Sequence, residues 1–356
     1  MHMAQLAGSE TSEILDIEDL DPAQWNEFAC NEGWSDGLPL IPPTEALVDE
    51  FLRACRGDDE PLRPLSPRLV TPTLRSAAAN AVMAGCKPQY FPVVLAALRA
   101  ISVPGYNLHG TLATTHPCGP TIMIGGPIRH DLSVNCATNC FGQGSRPNAT
   151  IGRALALIIR NVGGGVPGAT DRATQGSPAK YTFCFGENEE ECPWEPYRVR
   201  RGFAREESVV TVFATEPPHN INDHASDNGA SLLTTVASVM SQSGSNSMYG
   251  DGPTLLVFSP EHAQTLHRDG WTIEAIQHRV FDLARIPTLQ VSVENQEAFG
   301  RSGRRPEHGG YSITPKPEDI HIVVAGGAGK HSAWIPSFGA TELSCVRVKP
   351  PRGDAS

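Results

Sequence analysis

Cys86 stands in the stretch "NAVMAGCKPQYFPVVLAAL", between a helix-forming run that ends at Gly85 and a second run opened by prolines. Gly85 can take the position just past the first helix, and Pro88 or Pro92 the first turn of the next. The thiol then lies near a helix N-terminus, where free backbone N–H groups and the helix dipole favour an anion, and Lys87 adds a positive charge beside it. Cys86 is therefore expected to have a depressed pKa and to serve as nucleophile, redox centre or metal ligand. A small residue chosen to fill a tight helix–helix joint accounts for the same pattern without chemistry.

The tract from Tyr106 to Asn148 concentrates more reactive side chains: His109, His116, Cys118, His130, Asp131, Cys136 and Cys140, among several threonines, asparagines and arginines. It is glycine-rich and has little apolar periodicity. Long loops of this kind, when they are not disordered, usually carry function. One chemistry it offers is a Cys/His pair, with Cys86 or Cys118 activated by His109 or His116 and Cys118 able to act as a resolving thiol. Thr114, Thr115, Asn139 and Arg146 would then hold an oxyanion or carboxylate, together with backbone N–H groups. The second chemistry is metal binding. The spacings His-x6-His-x-Cys and Cys-x3-Cys are not standard zinc pairs, yet His109, His116 and Cys118 could hold zinc or copper. Cys86 with Cys118 and Cys136 or Cys140 could hold an iron–sulfur cluster.

Three further stretches bear on a site. "ENEEECPWEP" reads as a hydrated acidic loop or a cation binder. "TEPPHNINDHASD" sets His219 and His224 after the strand "SVVTVFA", and loops at strand ends are where open α/β sheets bind ligands. "VVAGGAGKHS" runs from an apolar strand into a glycine turn with Lys330 and His331, similar to an anion-cradling turn but matching neither a dinucleotide fingerprint nor a P-loop. The expectation is that these two loops face the cysteine tract and close one cleft. His219, His224, Lys330 and His331 would bind the polar end of a small-molecule substrate.

The elements that must position these residues read as an α/β fold of two lobes, with a long glycine-rich loop tract. The division expected is a polar N-terminal arm over residues 1–30, a cysteine-bearing lobe over 31–205 and a second α/β lobe over 206–356. Thr44 can cap the helix "EALVDEFLRAC" and Thr272 the helix "IEAIQHRVFDLAR". "TLQVSV" reads as a strand and "EAFGRSGRRPEHGGYS" as a mobile loop. "GPTIMIGGP" and "GPTLLVFSP" echo each other, as an internal duplication or chance in a chain with 34 glycines and 30 prolines would produce.

Composition bounds the rest. The 356 residues, 40% hydrophobic and 19% charged, suit a globular chain of two domains. A formal charge of -11 argues against nucleic acid and against an anionic membrane surface. No apolar run reaches the roughly 18 residues of a membrane span, and the acidic start lacks the pattern of a signal peptide. The expectation is a cytoplasmic protein with its nine cysteines reduced, and a homodimer.

"GWSDGLPLIPPT", the Cys86 stretch, "NATIGRALALIIRNVGG" and "KYTFCFGENEEECPW" resemble a widespread bacterial family to which no reaction is attached. The resemblance runs from about Trp34 to Trp194, and more loosely to "VAGGAGKH". Some relatives carry selenocysteine at a position like Cys86, which implies thiolate or selenolate chemistry there. The readings open at this point are a thiol-dependent lyase, hydrolase or oxidoreductase centred on Cys86, a metal or iron–sulfur enzyme using the same cysteines, and a non-catalytic metal- or ligand-binding protein.

Overall fold

The computed structural model describes residues 21–349. Residues 1–20 of the expected polar arm lie outside them. The rest of that segment is not an arm but a helix, α1 (Pro22–Asn31), started by an Asp21 capping box with Gln24. Trp25 and Ala29, four apart, share one face and are buried, and the Trp25 indole donates to Leu40 O at 2.8 Å.

Among the described residues four more α-helices precede the first strand: α2 (Glu45–Ala54), α3 (Leu74–Met83), α4 (Phe91–Ile101) and α5 (Leu108–Ala113). Thr44 caps α2 as its sequence position suggests. Then come β1 (Gly119–Gly125), α6 (Ile128–Asp131), α7 (Arg146–Asn161), β2 (Cys184–Gly186), α8 (Tyr197–Arg200), β3 (Val209–Thr215) and β4 (His219–Asn222). The chain continues through α9 (Gly229–Met240), β5 (Thr254–Phe258), α10 (Pro260–Arg268), α11 (Ile273–Leu283) and β6 (Arg285–Pro287). The last described elements are α12 (Val293–Arg301), β7 (Gly310–Ser312), β8 (Ile320–Val324), β9 (His331–Pro336) and β10 (Ser344–Arg347). Thr272 caps α11.

The fold is α/β, in four layers. One four-stranded sheet has the order β10-β3-β1-β2 and the other β4-β9-β5-β8, while β6 and β7 form a separate two-stranded sheet. Alternation along each strand separates three cores. Ile122, Ile124, Val210 and Val212 point to α3, α4 and α7, and Leu256, Phe258, Ile322 and Val324 point to α9 and α11. Between the sheets, Met123, Phe185 and Phe213 meet Leu255, Val257, Val323 and Ile335.

The expected boundary at 205/206 does not follow the strand pairing. β3 pairs with β1 from Gly119↔Thr215 to Gly125↔Val209, and β10 pairs with β3. The chain therefore leaves the first sheet at β4, builds the second, and returns. Each four-stranded sheet has a central strand, β1 or β5, parallel to one neighbour and antiparallel to the other. The two echoing Gly-Pro-Thr segments occupy these equivalent strands.

Two expectations fail near the C-terminal third. "TLQVSV" is a single tight turn followed by α12, because the Ser292 hydroxyl caps Asn295 N and starts a helix. The stretch expected to be a mobile loop, residues 297–312, begins as the end of that helix, turns, and closes as β7. It is pinned by Arg304, whose guanidinium lies 5.0 Å from the Phe299 ring centre and 5.3 Å from that of Tyr311.

Candidate functional site

The joint at Cys86 forms as its sequence implies. Gly85 adopts φ 87°, Cys86 N donates to Ala81 O at 3.0 Å, and a short turn at Pro88–Tyr90 leads into α4. The chemistry differs from expectation. Cys86 is 6% exposed and its sulfur turns to α7, donating to Thr150 O at 3.2 Å. Burial pushes the thiol up to about 12, against the pull of Arg146 and Arg153. The sulfur meets a carbonyl in the helical core rather than free N–H groups, so the depression expected of a helix N-terminus does not arise. Arg146, expected to bind substrate, clamps the joint by donating to Gly85 O at 3.0 Å.

The motifs around this joint hold one another. Arg153 of α7 grips Asp36 of "GWSDGLP" with two contacts of 2.8 Å and also donates to Leu38 O and Pro39 O. Asn161 reaches Trp34 O, and Arg160 reaches Gly33 O. Gly152 is needed where α7 crosses the β2 segment, since a Cβ there would lie 2.3 Å from Thr182 Oγ1.

Cys118 has a different setting. It precedes β1, is 1% exposed, and lies 3.7 Å from Thr111 O. It lines a cavity of about 300 Å³ with Leu112, Pro120 and Ile159 as apolar walls and Asp171 and Lys180 at a polar end. The Lys180 ammonium contacts both Asp171 oxygens, at 2.7 and 2.6 Å. Ser177, on the same wall, has a buried hydroxyl with no partner among the described residues. Burial pushes Cys118 up to about 12, with Lys180 pulling down and Asp171 and Glu216 pushing up. The thiol is protonated at neutral pH.

Two residues before Cys118, His116 Nε2 meets Glu216 Oε1 at 2.7 Å, and the other Glu216 oxygen lies 3.5 Å from His219 Nε2. His116 Nδ1 is buried without a partner among the described residues. Thr114 Oγ1 accepts from His116 N at 3.2 Å, and Thr115 O accepts from Thr174 N, so both threonines brace the turn. His109 is exposed on α5.

The remaining candidates are placed elsewhere. Asn139 turns the chain with φ 60° and donates to Gln143 O. Cys140 is in the inter-sheet core, and Cys136 Sγ lies 3.8 Å from Arg129 Nη1. In the acidic loop, Glu190 pairs with Arg129 and Glu189 with Arg198, each at 2.9 Å. Among the described residues no group of three or more His, Cys, Asp or Glu comes together as a metal site. The glycine turn meets the cysteine tract where Gly326 N donates to Cys136 O at 2.9 Å. Lys330 donates to His224 O at 3.2 Å, and His224 Nε2 lies 3.2 Å from His331 Nε2.

The two loops of the second lobe thus touch the tract by hydrogen bonds at Cys136 and His116. Ser226 and Asp227 of one loop and Gly326, Gly327 and Lys330 of the other line a single cavity of about 590 Å³ with Ala137 of the tract, so the expected cleft forms, but His219, His224 and His331 do not line it. Among the described residues no hydrogen bond or ion pair joins Cys86 to Cys118, His109 or His116. Asp171, Ser177, Lys180 and Glu216 escape a reading of the sequence. Their signal is weak: mixed charges in turn-rich stretches beside strands. Compared with protein families, curated proteins and solved structures, the chain matches none. The family resemblance rests on its motifs alone.

Proposed function

We propose that the protein is an enzyme acting on a small organic acid held in the Cys118 cavity, with Cys118 as the reacting thiol. The observation that supports this reading is the presence, on the walls of one cavity of about 300 Å³, of a thiol, an ion pair and a hydroxyl with no partner among the described residues. That is at the small end of ligand pockets. Lys180 offers charge to a carboxylate, with Asp171 holding the ammonium in place, and Ser177 offers a hydroxyl. The apolar wall takes the rest of the molecule. Because the thiol starts protonated, it acts first as a proton donor, or as a nucleophile once a base takes its proton. His116 is the base nearest in sequence, held at Nε2 by Glu216 with Nδ1 unpartnered among the described residues.

A second reading is a ligand-binding protein in which Cys118 only lines the wall, and the raised thiol favours it. The test is a panel of short aliphatic and hydroxy carboxylic acids. Melting temperature, acid consumption and site-resolved labelling of Cys118 by a thiol reagent are followed. The proposal expects some acids to stabilise the fold and protect Cys118, K180M to lose both effects, and C118S to keep binding while losing consumption. Binding without consumption in the wild type leaves the second reading. No response to any acid sinks both.

A further inference from the structure

We propose that His224 and His331 form a two-histidine site for a divalent transition-metal ion, separate from the Cys118 cavity. β4 and β9 pair antiparallel with Asn222 opposite His331, so His224, two residues past Asn222, comes to the side of the His331 ring. The two Nε2 atoms lie 3.2 Å apart, with ring centres at 5.0 Å and planes at 75°. Two imidazoles on one tetrahedral zinc, with Zn–N bonds of about 2.0–2.1 Å, place their nitrogens about 3.3 Å apart. The pair already has the spacing that a shared metal requires.

The tautomers agree with this role. His331 Nδ1 faces Asn220 Oδ1 at 3.0 Å, so the ring proton sits on Nδ1 and Nε2 keeps its lone pair. This is the supporting hydrogen bond that metal-bound histidines commonly have. His224 is exposed, so its proton can move to Nδ1 and face water. The Asp223 carboxylate is engaged by Ser226 and Thr235 and supplies no third ligand. Two coordination positions remain for water or for donor atoms of a small molecule. Lys330 is the cation nearby, its ammonium on His224 O, and it weakens the site by charge repulsion. Copper(II) is expected to bind ahead of nickel and zinc.

The experiment is titration of the chelator-treated full chain with Zn²⁺ and Cu²⁺, followed by calorimetry and by competition with a chromophoric chelator. The proposal expects one equivalent bound by the wild type and none at this site in His224→Ala or His331→Ala. Asn220→Ala should bind about 10–100-fold more weakly. His109→Ala, an exposed histidine elsewhere, should match the wild type. All four positions are at the surface, and circular dichroism checks that each variant folds. A wild type that binds neither metal, or binding that survives His224→Ala, overturns the proposal.

Discussion

His116 Nε2 lies 2.7 Å from Glu216 Oε1, and this contact ties the turn before β1 to the turn after β3. The register puts it there: Gly119 pairs with Thr215, so the residues just outside the pair meet at the sheet end. Glu216 also donates its N–H to Pro336 O at 2.8 Å and accepts from Asn246 N at 2.9 Å. Its carboxylate is thus where the first sheet, the second sheet and the loop after α9 are joined. Phe338 stacks on His116 with ring centres 5.8 Å apart.

That carboxylate should govern acid stability. Burial would raise it, but hydrogen bonds from His116, His219 and Asn246 N outweigh burial and hold it at about 2. A depressed carboxyl contributes stability above its unfolded value of 4.5, and the contribution is lost as pH falls from 4.5 toward 2. Discounted for solvent screening, the contribution is about 1–2 kcal/mol. Urea denaturation of Glu216→Gln should show about that loss at pH 7 and a flatter profile below pH 5. A variant as stable as the wild type at pH 7 would show that the contact holds nothing together.

The helices and the long strands are legible in the sequence because their signals are local. Thr44 and Thr272 cap where spacing places them, and the apolar runs of β1, β3, β5 and β8 form strands as their composition implies. What escapes reading depends on distant residues. Cys86 stands at the joint its neighbours imply, but its environment is set by Thr150, from a helix that starts only at the far end of the glycine-rich tract. β4 and β10 are four residues each, and nothing local says which sheet they join. The Lys180–Asp171 pair sits in turns without periodicity, so only the folded chain sets it beside Cys118.

Burial pushes both Cys86 and Cys118 up to about 12, which gives a direct labelling test. In native protein, iodoacetamide should label the exposed Cys30 first. At Cys86 and Cys118 the rate should climb about tenfold per pH unit from 7 to 10 with no plateau, because the thiolate fraction does so below the pKa. Mass spectrometry resolves the sites. A plateau below pH 9 at Cys86 would restore that residue as the reactive thiol.

Gly152→Ala should destabilise the first lobe. Alanine favours a helix over glycine by about 1 kcal/mol. The added Cβ, however, would lie 2.3 Å from Thr182 Oγ1 and 3.0 Å from Phe183 N, a side chain and a backbone atom of the segment leading into β2. Overpacking of this kind costs about 1–3 kcal/mol. The backbone contact cannot be relieved by a rotamer change, so the net sign is destabilising. A melting temperature equal to or above the wild type's would mean that α7 and β2 separate freely, against the packing described above.

Glu187 should act on stability in the opposite direction to Glu216. It is fully buried after β2, one oxygen accepting from Tyr197 N at 2.8 Å and the other without a partner among the described residues. Burial pushes its carboxyl up to about 7 from 4.5, more than Arg200 and Arg129 pull it down. The folded chain therefore keeps a proton that the unfolded chain releases between pH 4.5 and 7, and stability must fall as pH rises through that window. At about 1.36 kcal/mol per pKa unit the loss is at most about 3 kcal/mol. Glu187→Gln keeps the acceptor for Tyr197 N and cannot ionise. It should remove the decline and be about 1–3 kcal/mol more stable than the wild type at pH 8, measured by chemical denaturation. The difference between the two proteins isolates this carboxyl from every other titrating group, and parallel profiles from pH 4.5 to 8 would mean that Glu187 ionises in the fold as freely as in the unfolded chain.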